Sequence, residues 1–145
     1  MSLGYITAHF SWAEFCSHDG EQVPDSLRPN ARLLCEAILE PLRTAWGAPL
    51  IVICGYRSPE HNRAVRGALN SRHMTAEAAD IAPINRSETL RLAALVETMV
   101  RDGKLPALGG FGIYPFQGWV HLDVRAKPTN GHIARWQGSG VGSEV

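Results

Sequence analysis

The chain has 145 residues, 45% hydrophobic and 19% charged, with 14 Lys+Arg against 14 Asp+Glu. That length suits one domain with a core of its own. The balanced charge leaves no basic footprint for nucleic acid and no polybasic membrane anchor. Along the chain, "HFSWAEF" opens the fold. Ser11 and Glu14 have capping-box spacing with Phe10 as a staple, which predicts a short helix from Ser11 to Cys16. "HDGEQVPDSLRPN" reads as loop. Leu33, Leu34, Ala37, Ile38, Leu42 and Ala45 recur at helical spacing between Pro29 and Trp46. Pro41 is expected to kink or break this helix, and Gly47 to stop it.

"PLIVIC" is short and β-branched, a buried strand. Ser58 then caps a short helix with Pro59 at its first position. "RGALNSRH" is loop, and "AADIA" is a strand stopped by Pro83. Ser87 is expected to cap a helix reaching Arg101, with Leu92, Leu95, Val96, Met99 and Val100 on its apolar face. "GGFGIYP" and "WVHLDVR" are two strands joined by a turn at Pro115–Gly118, and "HIARW" is a closing helical turn. With no regular βαβ repeat, this order predicts an α+β domain over residues 1–138, an antiparallel sheet with helices on one side. A Gly/Ser-rich tail, 139–145, follows.

Cys16, Cys35 and Cys54 cannot all pair, and no C-x-x-C occurs, so they read as reduced buried thiols. No leader peptide and no spanning helix are visible, so the protein is expected to be made in the cytoplasm.

Two stretches carry chemistry. Strand alternation puts Val120, Leu122 and Val124 on one face and Trp119, His121 and Asp123 on the other. Taken alone, the second face suits a half-exposed strand with a polar side. The stretch "CGYRSPEHNRAVRGALNSRHMTAEAAD" adds Arg57, His61, His73 and Asp80 in turn-rich sequence. Two imidazoles and a carboxylate are the ligands of a zinc that keeps a fourth position open, but unrelated surface residues explain such spacing as often. H-E-x-x-H, G-x-S-x-G and Walker A sequences are absent. "LGGFG" opens no helix and reads as turn chemistry, and Cys54, ending an apolar strand, as an inert buried thiol.

"GYRSPEHNRAV", "NSRHMTAEAADI", "GFGIYP" and "WVHLDVR", in that order, resemble the zinc D-alanyl-D-alanine carboxypeptidase family, the LAS-type peptidoglycan metallopeptidases. The resemblance runs from "HFSWAEF" to "ARW". It implies the small α+β fold shared with the hedgehog signalling domain, zinc as cofactor and a peptidoglycan stem peptide as partner. His73, Asp80 and His121 match the zinc ligands, and Arg57 matches the arginine that holds the substrate carbonyl or carboxylate. Ser71 matches a position that bonds substrate or braces the loop, and Tyr56 and Trp119 are candidate groove residues. Two positions depart from the family pattern. Its glycine between the first two ligands is Ala76, which is harmless only at negative φ. Many relatives carry a carboxylate base three residues before the last ligand, where this chain has Gly118. Asp123 is the first substitute, as base or as a brace for a ligand; His61 is another, and Glu77 and His132 are weaker. His9 and His18 read as loop residues without a role. The expected activity is zinc-dependent hydrolysis next to D-amino acids, by a monomer that reaches the wall through lysis or in a virion. A zinc-holding module without turnover is the alternative.

Overall fold

A computed structural model describes residues 3–127 and 131–138; the proposed tail at 139–145 lies outside the described residues. Two short strands, β1 (Tyr5–Thr7) and β2 (Phe10–Ser11), form an antiparallel pair at the start. The capping box at Ser11 forms: Glu14 Oε1 accepts from the Ser11 amide at 2.8 Å, and Ser11 Oγ accepts from the Glu14 amide. It closes only a 3₁₀ turn, Ala13–Phe15, and not a longer helix.

The long helical segment is continuous. Helix α1 (Arg28–Leu34) passes through a π-helical stretch at Cys35–Leu39 into α2 (Glu40–Trp46). Pro41 does not break it, because the wider π turn immediately before accommodates the ring. Gly47 ends it in the left-handed conformation at φ 78°. Leu34, Ile38, Leu39 and Leu42 are fully buried. Each such side chain contributes about 1.5–3 kcal/mol.

Strands β3 (Leu50–Cys54), β4 (Ala78–Pro83), β5 (Gly110–Tyr114), β6 (Trp119–Asp123) and β7 (Ala134–Gln137) form one sheet in the order β3-β4-β6-β5-β7. The first four run antiparallel, while β7 joins β5 in parallel and makes the sheet mixed. The "HIARW" stretch is therefore an edge strand, not a helical turn. Helix α3 (Pro59–Ala64) begins as its sequence predicts, Ser58 Oγ accepting from the His61 amide at 3.0 Å. Helix α4 (Thr89–Arg101) starts one residue later than the Ser87 cap predicts, because Asn85 caps a 3₁₀ turn at Arg86–Glu88 first. It packs on β4, β6 and α2. The core lies between these helices and the sheet face carrying Ala79, Ile81, Phe111, Val120 and Leu122.

The segment linking β3 to β4 carries a 3₁₀ turn, Arg72–Thr75, and ends at Ala76 with φ 58°. A left-handed alanine costs about 1–2 kcal/mol. The position that favours glycine is thus occupied by a buried methyl group under backbone strain. Ala76→Gly should change stability by less than about 1 kcal/mol, since relieved strain offsets the lost methyl and the freer unfolded chain. Ala79→Gly, at a buried position within β4, should cost about 1–2 kcal/mol. Denaturant melts of the two variants check this: equal losses would mean that Ala76 is unstrained.

Candidate metal centre

The site is a row across the sheet. Asp80 on β4 stands opposite His121 on β6, and Gly112 on β5 stands opposite His121 from the other side. Directly opposed residues share a sheet face. Asp80, His121 and Asp123 therefore meet on the face away from the helices, and all three are buried. His73 arrives from the 3₁₀ turn, where Ser71 Oγ accepts from its amide at 3.3 Å and the Arg57 amide donates to its carbonyl.

The partners of the two imidazoles fix their tautomers. His73 Nδ1 is 2.8 Å from the Gly55 carbonyl, which can only accept, so Nδ1 carries the proton. His121 Nε2 is 2.8 Å from Asp123 Oδ2, also an acceptor, so Nε2 carries the proton there. The remaining nitrogens present lone pairs. His73 Nε2 is fully buried, makes no hydrogen bond, and lies 3.3 Å from Asp80 Oδ1. His121 Nδ1 lies 3.0 Å from the same oxygen. Two imidazole lone pairs thus face one buried carboxylate oxygen.

Such a cluster needs a cation or a proton. Burial opposes charge on Asp80 and on His73, yet their mutual attraction outweighs it. Burial raises the Asp80 pKa, but His73 and His121 beside it hold it well below the usual carboxylate range. Burial lowers that of His73, but the Asp80 carboxylate and the Cys54 sulfur hold it well above the ordinary imidazole range. A divalent ion satisfies the same lone pairs without a proton. The ligand atoms of Cys54, His73 and Asp80 lie within 4.8 Å of one another, and His121 joins through Asp80. Nitrogen, carboxylate and sulfur donors at this spacing suit zinc.

Behind His121 stands Asp123, itself gripped by Arg125. Arg125 Nη2 donates to Asp123 Oδ2 at 2.7 Å and Nε to Oδ1 at 2.9 Å. Burial again opposes the charge, but His121 and Arg125 hold the Asp123 carboxyl well below the usual range. Asp123 touches the His121 nitrogen turned away from Asp80, so its geometry is that of a brace and not of a base. Of the glycines of "GGFG", Gly110 and Gly112 lie inside β5 and form no turn there. A methyl on Gly110 would meet the Asp123 carboxylate at 2.4 Å, and one on Gly112 would meet the Trp136 indole at 2.4 Å. They are glycine because the brace and Trp136 press on the strand.

A cleft of about 190 Å³ opens beside the row, lined by His18, Cys54, Arg57, His61, Asp80 and Trp119 among others. Arg57 is buried, with Nη1 donating to Asn62 Oδ1 at 3.1 Å. Gly67 makes room for that contact, since a methyl there would strike both groups. Trp119 stacks on Tyr114 with centroids 5.9 Å apart. Tyr56, expected in the groove, is instead buried in the hydrophobic core, and Ser71 sits behind His73 as a cap; neither is among the cleft-lining residues. His18, without a role in the sequence, reaches the cleft with its Nε2 at 2.8 Å from the Ile53 carbonyl. His9 pairs with Glu40 elsewhere. Arg125 was legible as the next member of the alternation Trp119, His121, Asp123; Cys54 was not.

Lone pairs of nitrogen and oxygen converging beside an open cleft, on a small α+β domain, are the arrangement of a zinc hydrolase. A peptidase M15 family model matches residues 8–123, most of the chain, and the chain belongs to that family of zinc-dependent metallopeptidases. No curated protein matches it. None of the helices among the described residues is long and apolar enough to cross a membrane.

The brace makes a separate forecast. Asp123→Asn should weaken zinc binding by about 10–100-fold, and excess zinc should restore part of the function lost. Competition with a chromophoric chelator measures it. Unchanged affinity would remove Asp123 from the support of His121.

Proposed function

We propose that the protein hydrolyses peptide bonds next to D-amino acids in bacterial peptidoglycan stem peptides, as a carboxypeptidase or endopeptidase. His73 Nε2, Asp80 Oδ1 and His121 Nδ1 hold the zinc, with Asp123 as the positioning residue behind His121. The observation that carries this reading is the convergence of those atoms beside a cleft lined by a buried arginine. Membership of a family of D-Ala-D-Ala carboxypeptidases supports the substrate class.

Bound zinc supplies a Lewis acid for the substrate carbonyl and acidifies the attacking water. The chain supplies the rest. Arg57 is locked by Asn62 before substrate arrives, so its planar fork meets a developing oxyanion or a terminal carboxylate with little reorganisation. Trp119, stiffened by Tyr114, gives the cleft a flat wall against which a stem peptide lies. His61 stands on the same cleft wall and is the candidate for carrying the proton to the leaving amine.

A zinc-holding module without turnover is a second reading, and one observation favours it. Gly118, where many relatives carry their base, has φ 90°, and a methyl there would meet the Arg86 side chain at 2.9 Å. The hairpin excludes a carboxylate from that position without strain. Mass spectrometry of purified muropeptides incubated with the zinc-loaded protein separates the readings. Loss of a D-amino acid or cleavage of a stem peptide supports the peptidase; unchanged masses support the module. In the active case Arg57→Lys should keep zinc and lose about 10²–10³ in rate, because a point charge does not replace the fork. Near-normal turnover would remove Arg57 from the reaction.

A further inference from the structure

Cys54 is not part of the three-residue set assigned above, yet the fold delivers it there. Cys54 stands opposite Asp80 across β3 and β4, and Asp80 stands opposite His121 across β4 and β6. Three adjacent strands thus place Cys54, Asp80 and His121 in one row. A regular β3 would not do so. The ladder pairs Val52 with Ile81 and then Cys54 with Asp80, so β3 uses two residues where β4 uses one. This bulge at Ile53 moves Cys54 off the face it would share with Val52 and onto that of Asp80.

The surroundings of the sulfur are those of a donor. It is buried, and it lies within 4.8 Å of the ligand atoms of His73 and Asp80. The neighbouring His73 Nε2 is fully buried and without a hydrogen bond. Arg57 Nη2 donates to Sγ at 3.6 Å, a cationic partner for the sulfur. Sγ also lies 3.9 Å from the Gly55 carbonyl, a long contact that coordination would replace. Among the described residues neither other thiol falls in a cluster with metal-ligand spacing: Cys35 lies inside the long helix, where burial pushes its pKa up, and Cys16 Sγ donates to the Trp12 carbonyl.

We infer that Cys54 is a fourth zinc ligand through Sγ and that the resting site is a closed set of two histidines, one aspartate and one cysteine. This rests on the reading that His73, Asp80 and His121 hold the metal. Coordination breaks the S–H bond and gives its proton to solvent. Four protein donors complete a tetrahedron, as in structural zinc sites, whereas catalytic sites keep one position open. The resting protein is therefore latent, and turnover needs the sulfur to leave its position.

The test is the absorption spectrum of the full-length protein loaded with cobalt(II) in place of zinc. The expected wild-type spectrum combines tetrahedral d–d bands with a thiolate-to-cobalt charge-transfer band in the near ultraviolet. Cys54→Ser should lose the charge-transfer band and keep the d–d bands. Cys54→Ala should show the same loss, so the comparison survives misfolding of one variant, and the wild-type spectrum decides if both misfold. Wild-type d–d bands without charge transfer overturn the inference and leave the three-ligand reading standing. A band that persists in a folded Cys54 variant overturns it as well. A wild-type protein that takes up neither cobalt nor zinc overturns the three-ligand reading and the inference together.

Discussion

The structure depends on one buried carboxylate oxygen, Asp80 Oδ1, faced by two imidazole nitrogens at 3.0 and 3.3 Å. Neither ring is free to turn away. The Gly55 carbonyl takes the proton of His73 on Nδ1, and Asp123 takes that of His121 on Nε2. Burying an unpaired carboxylate costs several kcal/mol. At the proposed site a bound zinc would offset that cost in the folded state, so binding and folding would stabilise each other. The register of the sheet, fixed by its buried apolar face, keeps this oxygen in place. A slip of one residue between β4 and β6 would send Asp80 and His121 to opposite faces.

Around that oxygen the support is layered. Arg125 fixes Asp123, and Asp123 fixes His121. Gly110 and Gly112 let the carboxylate and the Trp136 indole approach the strand, and Arg125 lies over Trp136 at 5.0 Å. On the other side, Gly67 and Asn62 orient Arg57. The edge strand β7 thus contributes to the site indirectly, by seating Trp136 against His121. Ala76 is a point of strain in this scheme, since it turns the chain from His73 into β4 at a φ that favours glycine.

Much of this was legible in the sequence, and the reasons are local. Ser11 with Glu14, Ser58 with Pro59, and Gly47 are caps whose chemistry acts within a few residues, and each forms as its spacing predicts. The alternation that puts Trp119, His121 and Asp123 on one face of β6 holds, because strand periodicity is rigid. What escaped depends on distant partners. The bulge at Ile53 has no signature in "PLIVIC", so Cys54 read as an inert thiol. Tyr56 read as a groove residue, although Phe15 and the core claim it. "HIARW" read as helical because its pairing partner, β5, lies over twenty residues earlier in the chain. Pro41 read as a kink or break because a compensating π turn is a matter of packing and not of composition.

The central claim is that fixed tautomers present two imidazole lone pairs to one carboxylate and that zinc joins them. Nitrogen-15 NMR of the histidine rings, with and without one equivalent of zinc, reads this directly. The account predicts that zinc-loaded His73 carries its proton on Nδ1 and His121 on Nε2, with His73 Nε2 and His121 Nδ1 shifting on metal addition. A proton on His121 Nδ1 in the zinc-loaded protein, or rings unmoved by zinc, would contradict it.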